Sequence, residues 1–205
     1  MSSISSGGTS NRPHTGRRRN EEARQAVLAA TRELVHTRPY REVTIEAIVA
    51  AARVGKRTIY HWWPSRAALL LDALVEDARE RVPPTDPDAP FPERLQEFLA
   101  NTISGITGPE GSGPVLRALL AEAQSDPVAR TAFRDGFIQG RRAALRELLA
   151  DGRRAGLISV RADLDTLVDF TYGAIWYRLL TDHGPLDLAF STSIATHLIG
   201  AGRVD

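Results

Sequence analysis

Cysteine is absent from all 205 residues, which removes disulfides, thiolate metal sites and thiol redox chemistry together. Lysine supplies one of the 26 basic residues; the rest are arginine, whose planar guanidinium favours bidentate contacts to phosphate and base edges. No stretch approaches the roughly 18 consecutive apolar residues of a membrane span. Residues 1–20, MSSISSGGTSNRPHTGRRRN, also lack the apolar centre of a signal peptide. The expectation is a cytoplasmic protein with no membrane partner.

The patterns that enzyme chemistry needs are missing too. The five histidines, at 14, 36, 61, 183 and 197, never fall at a metal spacing such as HExxH. There is no GxSxG elbow, and the glycine-rich GPEGSGP at 108–114 lacks the Gly-Lys-Ser/Thr ending of a phosphate-binding loop. Asp165 and Asp169 share a helical face, where carboxylates near a helix start serve the dipole and solvation. No catalytic residue, metal or cofactor is expected.

What is present is a strong asymmetry of charge. Residues 1–66 hold 12 Arg and Lys against 5 Asp and Glu, net +7, whereas residues 67–205 hold 14 against 20, net −6. One end is suited to a polyanion and the other is not.

At the heart of the basic end lies TIEAIVAAARVGKRTIYHWWPSR, residues 44–66. Thr44 is a suitable N-cap with Glu46 in the first turn, and Ile45, Ile48, Val49 and Ala52 fall at helical spacing. Gly55 interrupts the pattern. A second short helix then places Ile59 and Trp63 on one side and Lys56, Arg57, Thr58, Tyr60, His61 and Trp62 on the other, until Pro64 ends it and Ser65 caps the next. A helix rich in donors and nearly free of acids suits the major groove of DNA.

At these residues the chain resembles the TetR family of transcriptional regulators. The order Ala52-Arg53-Val54-Gly55, then Thr58-Ile59-Tyr60, an aromatic at Trp63 and a basic residue at Arg66 follows the family pattern around the recognition helix. Two positions depart: Arg53 stands where a turn glycine is usual, and Gly55 where a capping serine is usual. If Arg53 takes a positive φ, it costs on the order of 1 kcal/mol.

The rest of the chain reads as helices only, so the fold class expected is all-α. Residues 1–19 read as a disordered basic arm, able to enter a minor groove or simply add charge. Residues 20–66 read as a three-helix DNA-binding domain whose first helix is capped by Asn20, with Tyr40 packed back on the domain. For residues 67–205 the resemblance implies an effector-binding and dimerisation domain. Within it, helices are expected over 65–82, 92–107, 115–124, 127–156 with a bend at Gly136 or Gly140, 163–181 and 185–199. The proline-rich stretch 83–92 reads as a linker.

The resemblance implies a homodimer that binds a palindromic double-stranded operator and is released by a small molecule, most simply as a repressor. Lys56, Arg57 and His61 are assigned to base edges, and Thr44, Thr58, Tyr60 and Arg66 to phosphates, with Trp62 on the same face. Phe98, Phe137, Tyr172 and Trp176 are the candidate effector contacts. Helix 163–181 shows one apolar stripe through Thr171, Ile175 and Leu179 and a second through Phe170, Gly173, Ala174 and Tyr177. The first stripe, with Phe190, Ile194 and Leu198 of the next helix, is assigned to the dimer contact. A non-specific architectural DNA-binding protein and a helical enzyme are the alternatives.

Overall fold

The computed structural model describes residues 14–81 and 86–200. Helices α1 (His14–Thr37), α2 (Ile45–Ala52), α3 (Lys56–Trp62) and α4 (Arg66–Arg81) are followed by α5 (Phe91–Thr107), α6 (Gly113–Ser125) and α7 (Pro127–Phe133). A π-helical turn, Arg134–Ile138, joins α7 to α8 (Gln139–Arg154), and α9 (Leu164–Thr181) and α10 (Leu188–Gly200) complete the chain. No strand occurs among the described residues. The fold is all-α, with no helix in the described residues long and apolar enough to cross a membrane.

The helix starts follow from capping chemistry. The Thr44 hydroxyl accepts the Ala47 N–H at 3.1 Å, the Asp126 carboxylate accepts that of Val128 at 2.8 Å ahead of Pro127, and Asp163 accepts that of Thr166 at 2.8 Å. Trp63 takes an extended conformation (φ −125°, ψ 121°), as the residue before Pro64 must, and closes α3.

Three boundaries differ from the sequence expectation. First, α1 begins at His14, so Asn20 is inside a helix rather than at its cap, and an exposed Arg18–Glu22 pair one turn apart (2.9 Å) supports the extra length. The expected disordered arm otherwise lies outside the described residues, as does part of the expected linker. Second, α10 starts at Leu188 rather than Pro185, with the Asp187 carboxylate accepting the Phe190 N–H at 2.8 Å. Third, the expected bend near Gly136 is a π-helical turn, an extra residue inserted into the helical ladder.

Two apolar clusters hold the helices together. One joins α1–α4 to α6 and α7, with Leu28, Ile48, Ile59, Leu69, Leu70 and Leu119 among its fully buried members. The other joins α5, α8, α9 and α10 through Leu95, Leu99, Leu145, Val168, Ile175 and Leu198. At roughly 1.5–3 kcal/mol for each fully buried large aliphatic side chain, these contacts hold the short α2 and α3 in place far more firmly than their helix propensity. The α5–α8 contact is close: a Cβ on Gly152 would collide with the Phe91 ring. The first cluster runs past residue 66 into α4, α6 and α7, so helices α1–α3 share their core with the body of the protein.

Candidate nucleic-acid interface and ligand cavity

Helix α3 is held from beneath. Ile59 is fully buried and Trp63 nearly so, and the Trp63 indole N–H donates to Asp72 of α4 at 2.9 Å. The same Asp72 oxygen accepts from Arg24 of α1 at 2.9 Å, so one carboxylate ties three helices. Anchored this way, α3 turns Lys56, Arg57, Tyr60 and His61 to the exterior, and Tyr60 is 52% exposed. Thr58 is half-buried at the helix start. Lys56 is ion-paired to Glu46 of α2, and the hydrogen bond between them raises the lysine pKa and lowers that of the carboxylate.

The turn that aims α3 carries the strain that the sequence anticipates. Arg53 adopts φ 54°, ψ 40°, the left-handed conformation that a glycine takes without cost. Trp62 is less free than the outward face implied: its indole N–H donates to Asn20 at 3.2 Å, with the Arg24 guanidinium 5.9 Å from its ring centre.

Arg66 requires a correction. Its guanidinium does not project toward a phosphate backbone but folds inward, donating to Glu122 of α6 at 2.6 Å and to the Tyr40 hydroxyl at 2.8 Å. It also lies 4.4 Å from the Tyr40 ring centre. Tyr40 in turn donates its hydroxyl to Glu122. Burial, followed by that hydrogen bond, pushes the Tyr40 pKa well up, against the opposing charge of Arg66. This clasp joins the segment before α2, the start of α4 and helix α6. Sequence reasoning missed it because Glu122 sits 56 residues beyond Arg66 on an ordinary amphipathic helix.

A cavity of about 1050 Å³ lies between α4, α5, α6, the π-helical turn, α8 and α9. Phe98, Phe137, Tyr172 and Trp176, the four candidate effector contacts, all line it, beside Leu74, Ile106 and Arg141. Its size is slightly above the roughly 300–1,000 Å³ usual for small-molecule sites. Glycines at 105, 136, 140 and 173 stand on its wall, and a Cβ at any of them would meet nothing within 4 Å. Burial raises the Tyr172 pKa to about 12, and its hydroxyl donates to the Arg141 carbonyl at 3.1 Å. Arg141 was not singled out from the sequence.

The assigned dimer stripe also needs correction. Thr171, Ile175 and Leu179 are buried within the subunit, as are Ile194 and Leu198, while Phe190 is half-buried beneath the Arg178 guanidinium at 3.5 Å. The five buried side chains form the protein's own core and are not available to a partner, and Phe190 packs against that core. On α9 and α10 the exposed large apolar side chains are Phe170, Tyr177 and Leu180 of α9, at 69%, 61% and 48%, and Leu188 of α10 at 64%.

Known proteins resemble the chain over both halves. Residues 27–73 match the family described as "Bacterial regulatory proteins, tetR family", and residues 90–198 the "Tetracyclin repressor-like, C-terminal domain". YdeS, an uncharacterized HTH-type transcriptional regulator of Bacillus subtilis, is 32% identical over 165 residues, 80% of this chain and 82% of its own. The crystal structure of the TetR family transcription regulator SCO0332 has a TM-score of 0.77 at 33% identity, covering 88% of this chain and 98% of that one. The fold is also that of the transcriptional regulator FadR from Bacillus subtilis, solved in complex with stearoyl-CoA (TM-score 0.62, 19% identity, 86% and 98% covered).

Proposed function

The chain belongs to the TetR family of helix-turn-helix transcriptional regulators, and from that premise we propose that it is a homodimeric repressor, released from a palindromic operator by a small molecule. The observation that carries the reading is the pairing of an outward basic face on α3 with a large aromatic cavity against α4, the helix that follows it. Arg57, Lys56 and His61 read base edges; Thr44, Thr58 and Tyr60 meet phosphates. A second subunit packs on the exposed face of α9 and α10 around Phe170, Tyr177 and Leu188, setting two α3 helices about 34–36 Å apart for successive major grooves.

A ligand reaches the DNA through α4 and α6. Both line the cavity, through Leu74, Val75 and Leu116, and both hold the clasp, through Arg66 and Glu122. Filling the cavity shifts one helix against the other and with them the attitude of α3. A coupling of about 1–3 kcal/mol weakens operator binding roughly 5- to 150-fold, sufficient for induction. FadR, of the same fold, was solved with a small molecule bound, which agrees with this use of the scaffold. We place the protein in the cytoplasm, where its operator is.

The test is selection of genomic fragments by the purified protein at near-physiological salt, followed by sequencing. A shared inverted repeat near a few promoters is expected. Uniform retention of fragments overturns the operator reading in favour of an architectural protein, and no retention removes DNA binding and reopens the enzyme. Sedimentation at micromolar concentration is expected to give a dimer that Phe170→Glu with Tyr177→Glu converts to a monomer.

A further inference from the structure

The cavity contains a charge without a counter-charge. Arg141, on α8 one turn beyond the π-helical turn, lines it, and its Nε is buried without a hydrogen-bond acceptor. The guanidinium lies 4.4 Å from the centre of the Phe137 ring, a contact that eases but does not neutralise it. Burial pulls the Arg141 pKa down from its ordinary value, yet an arginine keeps its proton at any physiological pH.

The acidic side chains nearby are engaged elsewhere. Asp135 pairs with Arg134 at 2.7 Å, Asp169 with Arg142, and Asp77 faces His36 at 3.5 Å. Tyr172 supplies no negative charge, since burial keeps its hydroxyl protonated to about pH 12. Glu76 also has a buried oxygen without a partner, but it does not line the cavity and makes no ion pair with Arg141. The comparison with Arg153 is instructive. Its Nε is likewise unpaired, but its guanidinium is satisfied through Nη2 at the Ala162 carbonyl, whereas no acceptor or carboxylate among the described residues reaches that of Arg141.

A cation drawn partly out of water and left without a counter-charge is costly, and an anion entering beside it offsets that cost. We propose that the cavity takes an anionic ligand, a carboxylate or comparable acid on an apolar body, with its charged group held by Arg141 and its body against Phe98, Ile106 and Trp176. The proposal rests on the cavity being the effector site. It fixes the chemical class that this site selects.

Titration calorimetry at pH 7 with decanoate, decanol and decyltrimethylammonium separates charge from chain. Decanoate is expected to bind at least tenfold more tightly than decanol, with the cation weakest. Arg141→Met brings decanoate down to the decanol level without changing decanol binding, and Arg141→Lys retains part of the difference. Replacing an unpaired buried charge by methionine is expected to hold or raise Tm; if that variant does not fold, the lysine variant and the wild-type series decide. Equal binding of decanoate and decanol, preference for the cation, no decanoate binding, or decanoate binding unaffected by loss of Arg141 overturns the proposal.

Operator release, measured separately, distinguishes the two readings. Arg141-dependent decanoate binding with no change in operator affinity supports the anion site and overturns the effector reading. Release by decanoate and decanol alike, in wild type and variant, keeps the effector reading and overturns the anion site.

Discussion

The α3 surface and the cavity are built from the same materials, arginine and aromatic rings, held in opposite circumstances. On α3, Arg57 and Tyr60 stand in solvent above a buried pair, Ile59 and Trp63. In the cavity, Arg141 and Tyr172 are half-buried. A solvated charge costs nothing to keep and gains from a polyanion chiefly by releasing counterions, so its binding falls steeply with salt. A half-buried charge has already lost part of its water, and what it gains from a partner is shorter-range and less screened. The same residue types are thus suited to a long-range, salt-sensitive contact at one end and to a local, selective one at the other.

The largest effect expected from breaking this contrast is on DNA. Arg57→Ala should lower affinity for the cognate operator by about 10- to 150-fold, as loss of a bidentate base contact does, and relax sequence preference. Tyr60→Phe should weaken cognate and random DNA alike, with a shallower loss; gel-shift titrations across salt concentrations read both. Equal losses on both DNAs for both variants would refute the division between base and phosphate contacts.

The next concerns the link between the two regions. Glu122→Gln removes the charge that Arg66 and Tyr40 share, and should cost about 1–3 kcal/mol of stability in a thermal melt. It should also reduce the ligand's effect on operator affinity more than it reduces ligand binding. A variant that melts lower but responds normally would make the clasp a purely structural brace.

Smaller again is Arg53→Gly, which relieves a left-handed arginine and should stabilise the protein by about 1 kcal/mol, with a higher Tm. The smallest effect is confined to high pH. Tyr172 is protonated in the folded state up to about pH 12, whereas an unfolded tyrosine ionises near pH 10. Its contribution is therefore whole below pH 10 and is lost as pH rises toward 12. Alkaline spectrophotometric titration should show delayed tyrosine ionisation, of which Tyr172→Phe removes a part.

The exposed region was far more legible in the sequence than the enclosed one. A helix-turn-helix is specified by residue types at fixed local spacing, so Thr44 as cap, Ile59 and Trp63 as anchors and the strain at Arg53 could all be read directly. The cavity was half legible. Aromatic candidates could be named because the residues are conspicuous, and Phe98, Phe137, Tyr172 and Trp176 do meet. Whether an aromatic lines a void or fills a core depends on helix packing, which periodicity does not encode. Arg141 escaped for the same reason, since Arg-Arg on a helix is ordinarily solvated.

The dimer stripe failed on a sharper ambiguity. Helix α9 is apolar on two sides, and its pattern of residues is silent about which side its own subunit claims. The π-helical turn was anticipated only as a bend, because inserting one residue in a helix leaves no compositional mark beyond Gly136. Arg66 misled because a basic residue opening α4 fits a phosphate as well as it fits Glu122, and only the distant partner decides.

That distant partner has a bearing on regulator engineering. Because Glu122 grips Tyr40 and Arg66 directly, the DNA-reading end is not an interchangeable cassette. A chimaera joined after α4 inherits both halves of the grip only if its new body brings an acid to the same place on α6. Grafts onto bodies with a neutral residue there should still recognise the operator but lose their inducer response, and restoring one glutamate is the first repair to try.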